Sequence, residues 1–372
     1  MQRVAHRTIA AALITLTLSA CRDYVGPPIA GPRPSREETP ALSDANIEPT
    51  IIAASTTDAN IDFEVTKGLL NAEHYVWIDP SARGNPKLLV FLPGATFRPA
   101  EYQLVQREAA RLGYYVIGLM YQNDKGVEAL CKTRSAPEDL PNCSGDMRSE
   151  ILTGRAPEAE EISPLVDVTQ ANGIDNRLTK LLDWLSNDEN HAGQGWSRFL
   201  EMGGDGTLKP KWSQIAVAGH SQGAGEAAFI AKLRHIDRVV MFAGPPERSD
   251  AHLADHDPWV SIGETPASKY FALYHKREPL ALDVAGFGSN LTANLTALNM
   301  FEFGGAVRVE ENRPPYDGTH ILYTDLPPTG GYEAKRNLRS TSMDAFTPMQ
   351  CSTEDPPVCT PALIDAWRYL LR

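Results

Sequence analysis

The feature of this chain that most constrains its fold is a Gly-His-Ser-Gln-Gly pentapeptide at residues 219–223. An apolar run at 215–218 precedes it, and an alanine-rich segment at 224–230 follows it. This succession predicts a strand, a sharp turn and a helix. On so tight a turn, Ser221 must hold a strained backbone that pushes its Oγ outward. The two glycines must be small because neighbouring chain lies close to them.

A hydroxyl presented in this way suits nucleophilic catalysis. We predict that Ser221 is a nucleophile and that the backbone N–H of Gln222, at the start of the helix, stabilises developing negative charge. The competing interpretation is a Gly/Ser helix cap, and the strand and helix on either side favour the catalytic one. The segment resembles the nucleophile elbow of the α/β-hydrolase superfamily. Its Gly-His-Ser-Gln-Gly form is similar to that of bacterial serine esterases and lipases.

Apolar segments alternate with amphipathic ones along the chain, which predicts a doubly wound sheet. Strands are predicted at 74–78, 87–92, 114–121, 214–218, 238–243 and 270–274. Helices are predicted at 100–112, at 169–187, after the pentapeptide and from residue 361. The resemblance implies an α/β-hydrolase fold, with a mostly parallel central sheet and helices on both faces. We expect the polar, proline-rich insertion at about 122–168 to lie over the active site.

A histidine should accept the proton of the serine. In the superfamily the nucleophile, the acid and the histidine follow one another in that order along the chain. His320 lies in a polar stretch near the end of the domain, after the acid candidates. The resemblance therefore implies that His320 takes the proton from Ser221 and passes it to the leaving group.

The acid of the triad has several candidates. In the superfamily it follows the strand that corresponds to 270–274, and Glu278 lies close to the end of that strand. Asp283 is the second choice in the same loop. Some members place the acid after the preceding strand, where this chain has Glu247 and Asp250. We expect Glu278 to orient the histidine, although the commoner residue in the family is Asp.

A second oxyanion donor should come from the loop after the strand at 87–92. The His-Gly form of the family is absent, and Pro-Gly stands in its place. By position, either Ala95 or Thr96 supplies the N–H, and the sequence does not separate them. A plain strand-to-helix turn is the alternative interpretation.

The N-terminus is typical of an exported protein. Residues 1–20 combine a positive start with a short apolar core, which predicts a signal peptide. They end in Leu-Ser-Ala followed by Cys21, which resembles the lipobox of bacterial lipoproteins and implies lipidation of that cysteine. The arginine after it favours the outer membrane or the cell envelope. An ordinary secretory signal is the alternative. Residues 21–59 are predicted to be a disordered tether, and residues 60–372 the catalytic domain.

The four remaining cysteines form two local pairs in proline-rich polar loops. We predict the disulfides Cys131–Cys143 and Cys351–Cys359, although four cysteines allow three connectivities. Both suit an oxidising compartment. A zinc site is the rival interpretation, but the spacings do not match and no histidine lies nearby.

The formal net charge is −12 with no basic stripe, which argues against nucleic-acid binding. The predicted function is hydrolysis of a small-molecule or polymer carboxylic ester through a Ser-His-acid triad and an acyl-enzyme. That mechanism needs neither a metal nor an organic cofactor. We expect a monomer that meets the membrane only through its N-terminal lipid. A peptidase or amidase on the same fold, and a non-catalytic binding lipoprotein, are the alternatives.

Overall fold

A computed structural model describes most of the chain after its first 46 residues. The described residues are 47–61, 73–82, 86–132, 142–154, 166–247, 257–279, 281 and 290–372. The predicted signal peptide and the lipidation residue Cys21 lie outside them, as do Asp250 and Asp283. Within these ranges, no helix has the length and apolar character needed to span a membrane.

The strands are mostly short. They are β1 Thr50–Ile52, β2 His74–Trp77, β3 Leu88–Leu92, β4 Tyr115–Gly118, β5 Leu200–Met202, β6 Leu208–Pro210, β7 Ile215–His220, β8 Arg238–Phe242, β9 Tyr270–His275, β10 Val307–Arg308, β11 Ile321–Thr324, β12 Met349–Cys351 and β13 Cys359–Pro361. Each strand predicted from the sequence has its counterpart among them.

The α-helices connect these strands. They are α1 Ala54–Thr57, α2 Gln103–Arg111, α3 Val127–Lys132, α4 Cys143–Thr153, α5 Ile174–Asn187, α6 Gln222–Leu233, α7 Asn290–Ala297, α8 Ala334–Arg339 and α9 Ile364–Leu371. Short 3-10 helices lie at Pro99–Tyr102, Gln170–Asn172, Ala192–Gln194, Trp196–Phe199, Trp212–Gln214, Ala267–Lys269, Met300–Phe303 and Tyr316–Gly318.

Nine strands form one sheet in the order β1-β2-β4-β3-β7-β8-β9-β11-β10. The pairs from β4 to β10 are parallel, whereas β1–β2 and β2–β4 are antiparallel. The carboxyl ends of the parallel strands therefore meet at one edge of the sheet. In an open α/β sheet this edge is where ligands bind.

Helices cover both faces of the sheet because successive residues of each central strand point to opposite sides. In β3, Val90 belongs to one apolar core and Phe91 to the other. Helices α5 and α6 pack on the first side, through residues such as Leu181. Helices α2 and α9 pack on the second side, for example through Trp367. The predicted fold class is confirmed.

The N-terminal boundary of the domain lies earlier than predicted. Strand β1 pairs with β2, with Thr50 opposite Val76 and Ile52 opposite His74. Ile52 is buried in the core, and α1 follows directly. The predicted start at residue 60 is therefore wrong. The polar composition before that residue concealed a short β-branched run that completes the sheet edge.

Both predicted disulfides are present. Cys131 at the end of α3 is bonded to Cys143 at the start of α4, and Cys351 is bonded to Cys359 across the hairpin of β12 and β13. The first bond closes a loop inside the predicted insertion. The second lies on a hairpin whose residues are almost all exposed.

The described part of the insertion is a packed layer rather than a polar cover. Most of α4 is buried, and the helix packs against α5 and α6. Its buried charged residues, Arg148 and Glu150, have partners. For example, the Glu150 carboxylate accepts the N–H of Val168 at 3.0 Å. A polar composition normally indicates exposure, and here that rule fails because the charges are paired inside.

Loss of the two disulfides should affect stability unequally. Both close short loops, for which chain entropy predicts about 3 kcal/mol. In a Cys131→Ser/Cys143→Ser variant, the buried α4 loses its anchor, so we expect the full loss in the free energy of unfolding measured by urea denaturation. In a Cys351→Ser/Cys359→Ser variant, the exposed hairpin frays locally, so we expect less than about 1 kcal/mol. Equal losses would contradict this distinction.

Candidate active site

Ser221 lies on a strained turn at the carboxyl end of the central strand β7. Its backbone has φ 51° and ψ −116°, a conformation that non-glycine residues rarely adopt. The N–H of Ser221 donates to the carbonyl of Phe242 at 2.9 Å, which ties the turn to β8. Helix α6 begins at the next residue. The strand, turn and helix predicted from the sequence are confirmed.

The two glycines of the pentapeptide are required by close backbone approaches. A Cβ on Gly219 would lie 2.1 Å from the carbonyl oxygen of Gly223. A Cβ on Gly223 would lie 2.1 Å from the carbonyl oxygen of Leu92, at the end of β3. The start of α6 is therefore pressed against the end of β3. This contact brings Gln222 beside the loop that follows β3.

Backbone donors at this edge fit an oxyanion site. The N–H of Gln222 belongs to the first turn of α6, where helical N–H groups have no intrahelical partner. In the β3 loop, the N–H of Thr96 is taken by the carbonyl of Asn123 at 2.8 Å. The N–H of Ala95 has no partner among the described residues. The hydrogen bonding therefore favours Ala95 over Thr96 as the second donor.

Asn123, which no sequence motif singled out, holds this loop. The side-chain NH₂ of Asn123 donates to the backbone carbonyls of Gly94 at 2.7 Å and Phe97 at 2.8 Å. The backbone carbonyl of Asn123 accepts the N–H of Thr96. Three contacts from one residue fix the loop in place. A polar residue directly after the apolar strand at 114–121 is the signal that could have indicated this role.

His320 lies far from Ser221, so its prediction as general base is wrong. It directly precedes β11, and Ile321 pairs with Ala272 in the parallel register. Along the strand direction, His320 lies three residues below Ser221. Across the sheet, its strand lies three strands away from β7. Standard strand dimensions then place the two Cα atoms about 17 Å apart. His320 lies at the start of the short strand β11, level with Ala218 in β7 and Val240 in β8.

Aromatic packing, and not a catalytic role, accounts for the burial of the His320 side chain. Its ring is stacked between Phe271 and Phe303, with centroid distances of 4.1 Å to each. Burial lowers the pKa of His320, and a hydrogen bond to the backbone of Tyr270 opposes that shift. The side chain therefore packs between two aromatic rings at the start of β11.

Three other histidines lie at the carboxyl edge. His74 in β2 lies three strands from β7, and its Nδ1 accepts the N–H of Met120 at 3.0 Å. In the other two, both ring nitrogens are engaged. In His220, Nδ1 meets the Tyr102 hydroxyl and Nε2 meets the carbonyl of Leu338, each at 3.0 Å. In His275, Nδ1 accepts from the N–H of Arg277 and Nε2 meets the carbonyl of Leu326, each at 3.0 Å. Burial lowers the pKa of both rings.

Ser221 consequently lacks an imidazole partner within the described part of the chain, where its Oγ makes no hydrogen bond. The sequence that follows β11, from residue 325 to residue 372, contains no histidine. His252 and His256 lie outside the described residues.

Glu278 occupies the place predicted for the acid. It follows β9 at the carboxyl edge and is fully buried. One carboxylate oxygen accepts the N–H of His275 at 3.2 Å, and the other has no partner among the described residues. Burial raises the pKa of Glu278 well above its usual range. A buried carboxyl with an open acceptor favours a positively charged or N–H donor beside it.

Glu247, the alternative acid, has a different partner. Its carboxylate accepts from the guanidinium of Arg148, and both side chains are buried. The same guanidinium reaches Glu226 in α6 at 2.7 Å. Burial raises the pKa of Glu226 to about 7, and Arg148 opposes that shift. These contacts leave Glu278 as the acid candidate among the described carboxylates.

An open groove of about 1050 Å³ lies elsewhere, between α5 and the hairpin of β5 and β6. Its lining is polar and includes Asp175, Lys180 and Arg234 but no residue of the serine turn. Within the described residues, no cluster of three His, Cys, Asp or Glu side chains is arranged to hold a metal ion.

Comparison with known proteins gives only remote likenesses. No family model and no curated protein matches the chain. Among solved structures, it is similar to a dienelactone hydrolase-like promiscuous phosphotriesterase from metagenomic libraries, at 13% identity over 76% of this chain and 82% of that one, with a TM-score of 0.36. It is similar to a bacterial heroin esterase at 13% identity, over 81% of each chain, with a TM-score of 0.35.

A third similar structure is the CE1 ferulic acid esterase of the anaerobic fungus Anaeromyces mucronatus. The identity is 11% over 76% of this chain and 90% of that one, and the TM-score is 0.32. Because these likenesses are remote, the assignment of a reaction depends on the residues of this chain.

Proposed function

We propose that the protein hydrolyses carboxylic esters by acyl transfer to Ser221. The observation that carries this proposal is the strained backbone of Ser221, with φ 51°, at the carboxyl end of a central parallel strand and the start of a helix. Strain of this kind persists only where the surrounding structure enforces it, and it is concentrated at functional sites. Here two glycines make the turn sterically possible.

The reaction follows from the groups at this edge. The Oγ of Ser221 attacks the ester carbonyl carbon. The carbonyl oxygen becomes an oxyanion, which accepts hydrogen bonds from the backbone N–H groups of Gln222 and Ala95. Collapse of the tetrahedral intermediate expels the alcohol, which takes up the proton given by the serine. Water then releases the carboxylic acid from the acyl-enzyme. The group that carries the proton from Ser221 to the alcohol is not among the described histidines, and Glu278, which has one open carboxylate oxygen, is proposed to orient that group.

The test compares matched substrates. We expect turnover of 4-nitrophenyl acetate that follows saturation kinetics, with a slower reaction of the corresponding 4-nitroanilide. Faster turnover of the anilide would instead support the peptidase or amidase alternative. The natural substrate class is proposed to be a small-molecule or polymer ester.

A second candidate function is supported by the position of His320. A chain that keeps the serine turn without an imidazole beside Ser221 could bind a ligand at this edge without cleaving it. In that case the protein would bind but not turn over an aryl ester. Absence of turnover together with an unmodified Ser221 after treatment with a fluorophosphonate would support this non-catalytic alternative.

Substitution of His320 should leave catalysis nearly intact. We expect His320→Ala to change kcat/KM on 4-nitrophenyl acetate by less than about threefold, because the Cα atoms of His320 and Ser221 lie about 17 Å apart. The free energy of unfolding should fall by about 1–3 kcal/mol from the loss of two aromatic stacks. Kinetics at a temperature where the variant is folded check the first point. A loss of 100-fold or more would restore His320 as the base.

The cellular location remains a proposal based on the N-terminal sequence. We propose that Cys21 becomes lipidated and anchors the protein in the cell envelope, leaving the domain itself soluble. A Cys21→Ser variant should then appear in the aqueous fraction after detergent phase separation, whereas the unaltered protein should enter the detergent phase. Equal partitioning of both proteins would contradict lipidation.

A further inference from the structure

A buried arginine from the insertion reaches the helix that follows Ser221. Arg148 lies in α4, and its side chain is completely buried. One guanidinium nitrogen donates to the carbonyl oxygen of Gln222 at 3.2 Å and to Glu226 at 2.7 Å. The contact with Gln222 falls on the residue whose own N–H is the proposed oxyanion donor.

The other end of the guanidinium connects a third element. It donates to Glu247, in the segment that follows β8. That segment is held in turn by Asn294, whose amide donates to the carbonyls of Pro245 and Glu247 at 2.9 Å and 2.8 Å. Arg148 therefore joins the insertion, helix α6 and the end of β8, which are separate in sequence.

Gly225 provides the room for this contact. A Cβ at this position would lie 2.3 Å from the Arg148 guanidinium and 2.7 Å from the Glu247 carboxylate. The N–H of Gly225 donates to the carbonyl of Ser221, so the guanidinium rests against the first turn of α6. An ordinary side chain at this position would push the charge away from the helix.

Burial of these charged side chains costs desolvation free energy, which argues that the cluster has a function beyond packing. One arginine faces two carboxylates away from water, and the ring of Trp259 lies 5.3 Å from the guanidinium. Desolvation of such groups often costs more than their attraction returns. An apolar cluster of similar volume would serve packing alone. What an apolar cluster cannot do is hold a backbone carbonyl in one place through a charged hydrogen bond.

We infer that Arg148 is a positioning residue that fixes the first turn of α6, and with it the Gln222 N–H and Ser221, to helix α4 of the insertion. This inference rests on the proposed function, because the group it positions is the proposed oxyanion donor. A donor must lie within a few tenths of an ångström of its productive place to stabilise a transition state. Loss of Arg148 should therefore lower kcat more than it raises KM.

The experiment compares two fully buried arginines. Arg148→Met removes the contact with α6, whereas Arg177→Met removes a buried arginine of α5 that donates to Asn172 and Met120. Both variants should lose stability. At a temperature where both are folded, we expect kcat on 4-nitrophenyl acetate to fall about 100-fold in Arg148→Met and less than about threefold in Arg177→Met. Equal effects on kcat would overturn the inference.

A second variant keeps the test decisive if Arg148→Met does not fold. Gly225→Ala introduces a good helix former and displaces the guanidinium without removing its charge. We expect folded protein with kcat lowered about tenfold and KM nearly unchanged. Activity equal to that of the unaltered protein, with the guanidinium displaced in a crystal structure, would contradict the inference.

Hydrogen exchange separates this inference from the proposed function. In Arg148→Met, or in Gly225→Ala, the amides of Ala224 and Gly225 should exchange at least about tenfold faster, while those in the middle of α5 should not change. This result does not depend on ester turnover. If the unaltered protein is inert towards esters, the proposed function fails. Unchanged exchange in the first turn of α6 would remove the positioning role.

Discussion

Replacement of Ser221 by alanine is expected to lower kcat/KM on 4-nitrophenyl acetate by at least about 10³-fold. The hydroxyl is the only group that the proposed mechanism bonds to the substrate, so no neighbouring residue can substitute for it. The thermal midpoint should change by less than about 2 °C, because Oγ makes no hydrogen bond with a described residue. Steady-state kinetics measure the change in kcat/KM, and thermal unfolding of the same preparation measures the change in the midpoint.

A serine outside the site provides the control. Ser186 lies on α5, where its hydroxyl donates to the carbonyl of Leu182 at 2.6 Å. Ser186→Ala should retain full activity. If Ser221→Ala also kept full activity, the hydrolysis would come from another group or from a contaminant, and the acyl-transfer mechanism would be untenable.

Substitution of Gly223 by alanine should damage both activity and stability. Its Cβ would lie 2.1 Å from the carbonyl oxygen of Leu92, and neither backbone segment can move freely. Helix α6 would have to retreat from β3, which carries the Gln222 N–H away from its place beside the β3 loop. We expect kcat to fall about 100-fold and the free energy of unfolding to fall by about 1–3 kcal/mol.

Gly193 offers a matched glycine for comparison. A Cβ there would meet no atom within 4 Å, so Gly193→Ala should keep activity and stability within experimental error. Urea denaturation and steady-state kinetics on both variants provide the comparison. If Gly223→Ala behaved like Gly193→Ala, the tight contact between α6 and β3 would not control the site.

The sheet and the serine turn could be predicted because their signals are local. The buried strands β3, β7, β8 and β9 are apolar runs in the sequence. The two glycines within residues 219–223 indicate that neighbouring backbone lies close to the turn. The disulfides were predictable for a similar reason, since each joins cysteines in one loop. The position of Glu278 just after β9 was predictable because it lies close along the chain to the strand end, and its role as the acid stays a prediction.

The error at His320 came from a strand that was not recognised. The order of the triad along the chain was satisfied, but Ile-Leu-Tyr-Thr at 321–324 is itself a β-branched and aromatic run. Reading it as β11 places His320 before a parallel strand and not after one, three strands from β7. Chain order alone cannot tell the two edges of a sheet apart.

The role proposed for Arg148 had no sequence signal. Its contact with Gln222 spans 74 positions and depends on how the insertion packs against α6. A buried arginine in a polar, proline-rich stretch looks like an exposed one until the fold brings its partners together. Such contacts between distant segments come from tertiary packing and not from local propensity.

Labelling by a fluorophosphonate tests the central claim most directly. A serine held in this turn beside two N–H donors should react to form a phosphonate ester, because the reagent mimics the charge of the acyl-transfer transition state. Mass spectrometry of the digested protein should find the adduct on Ser221, with no labelling in Ser221→Ala. An unmodified Ser221 in folded protein, or an adduct on another residue, would contradict the proposal.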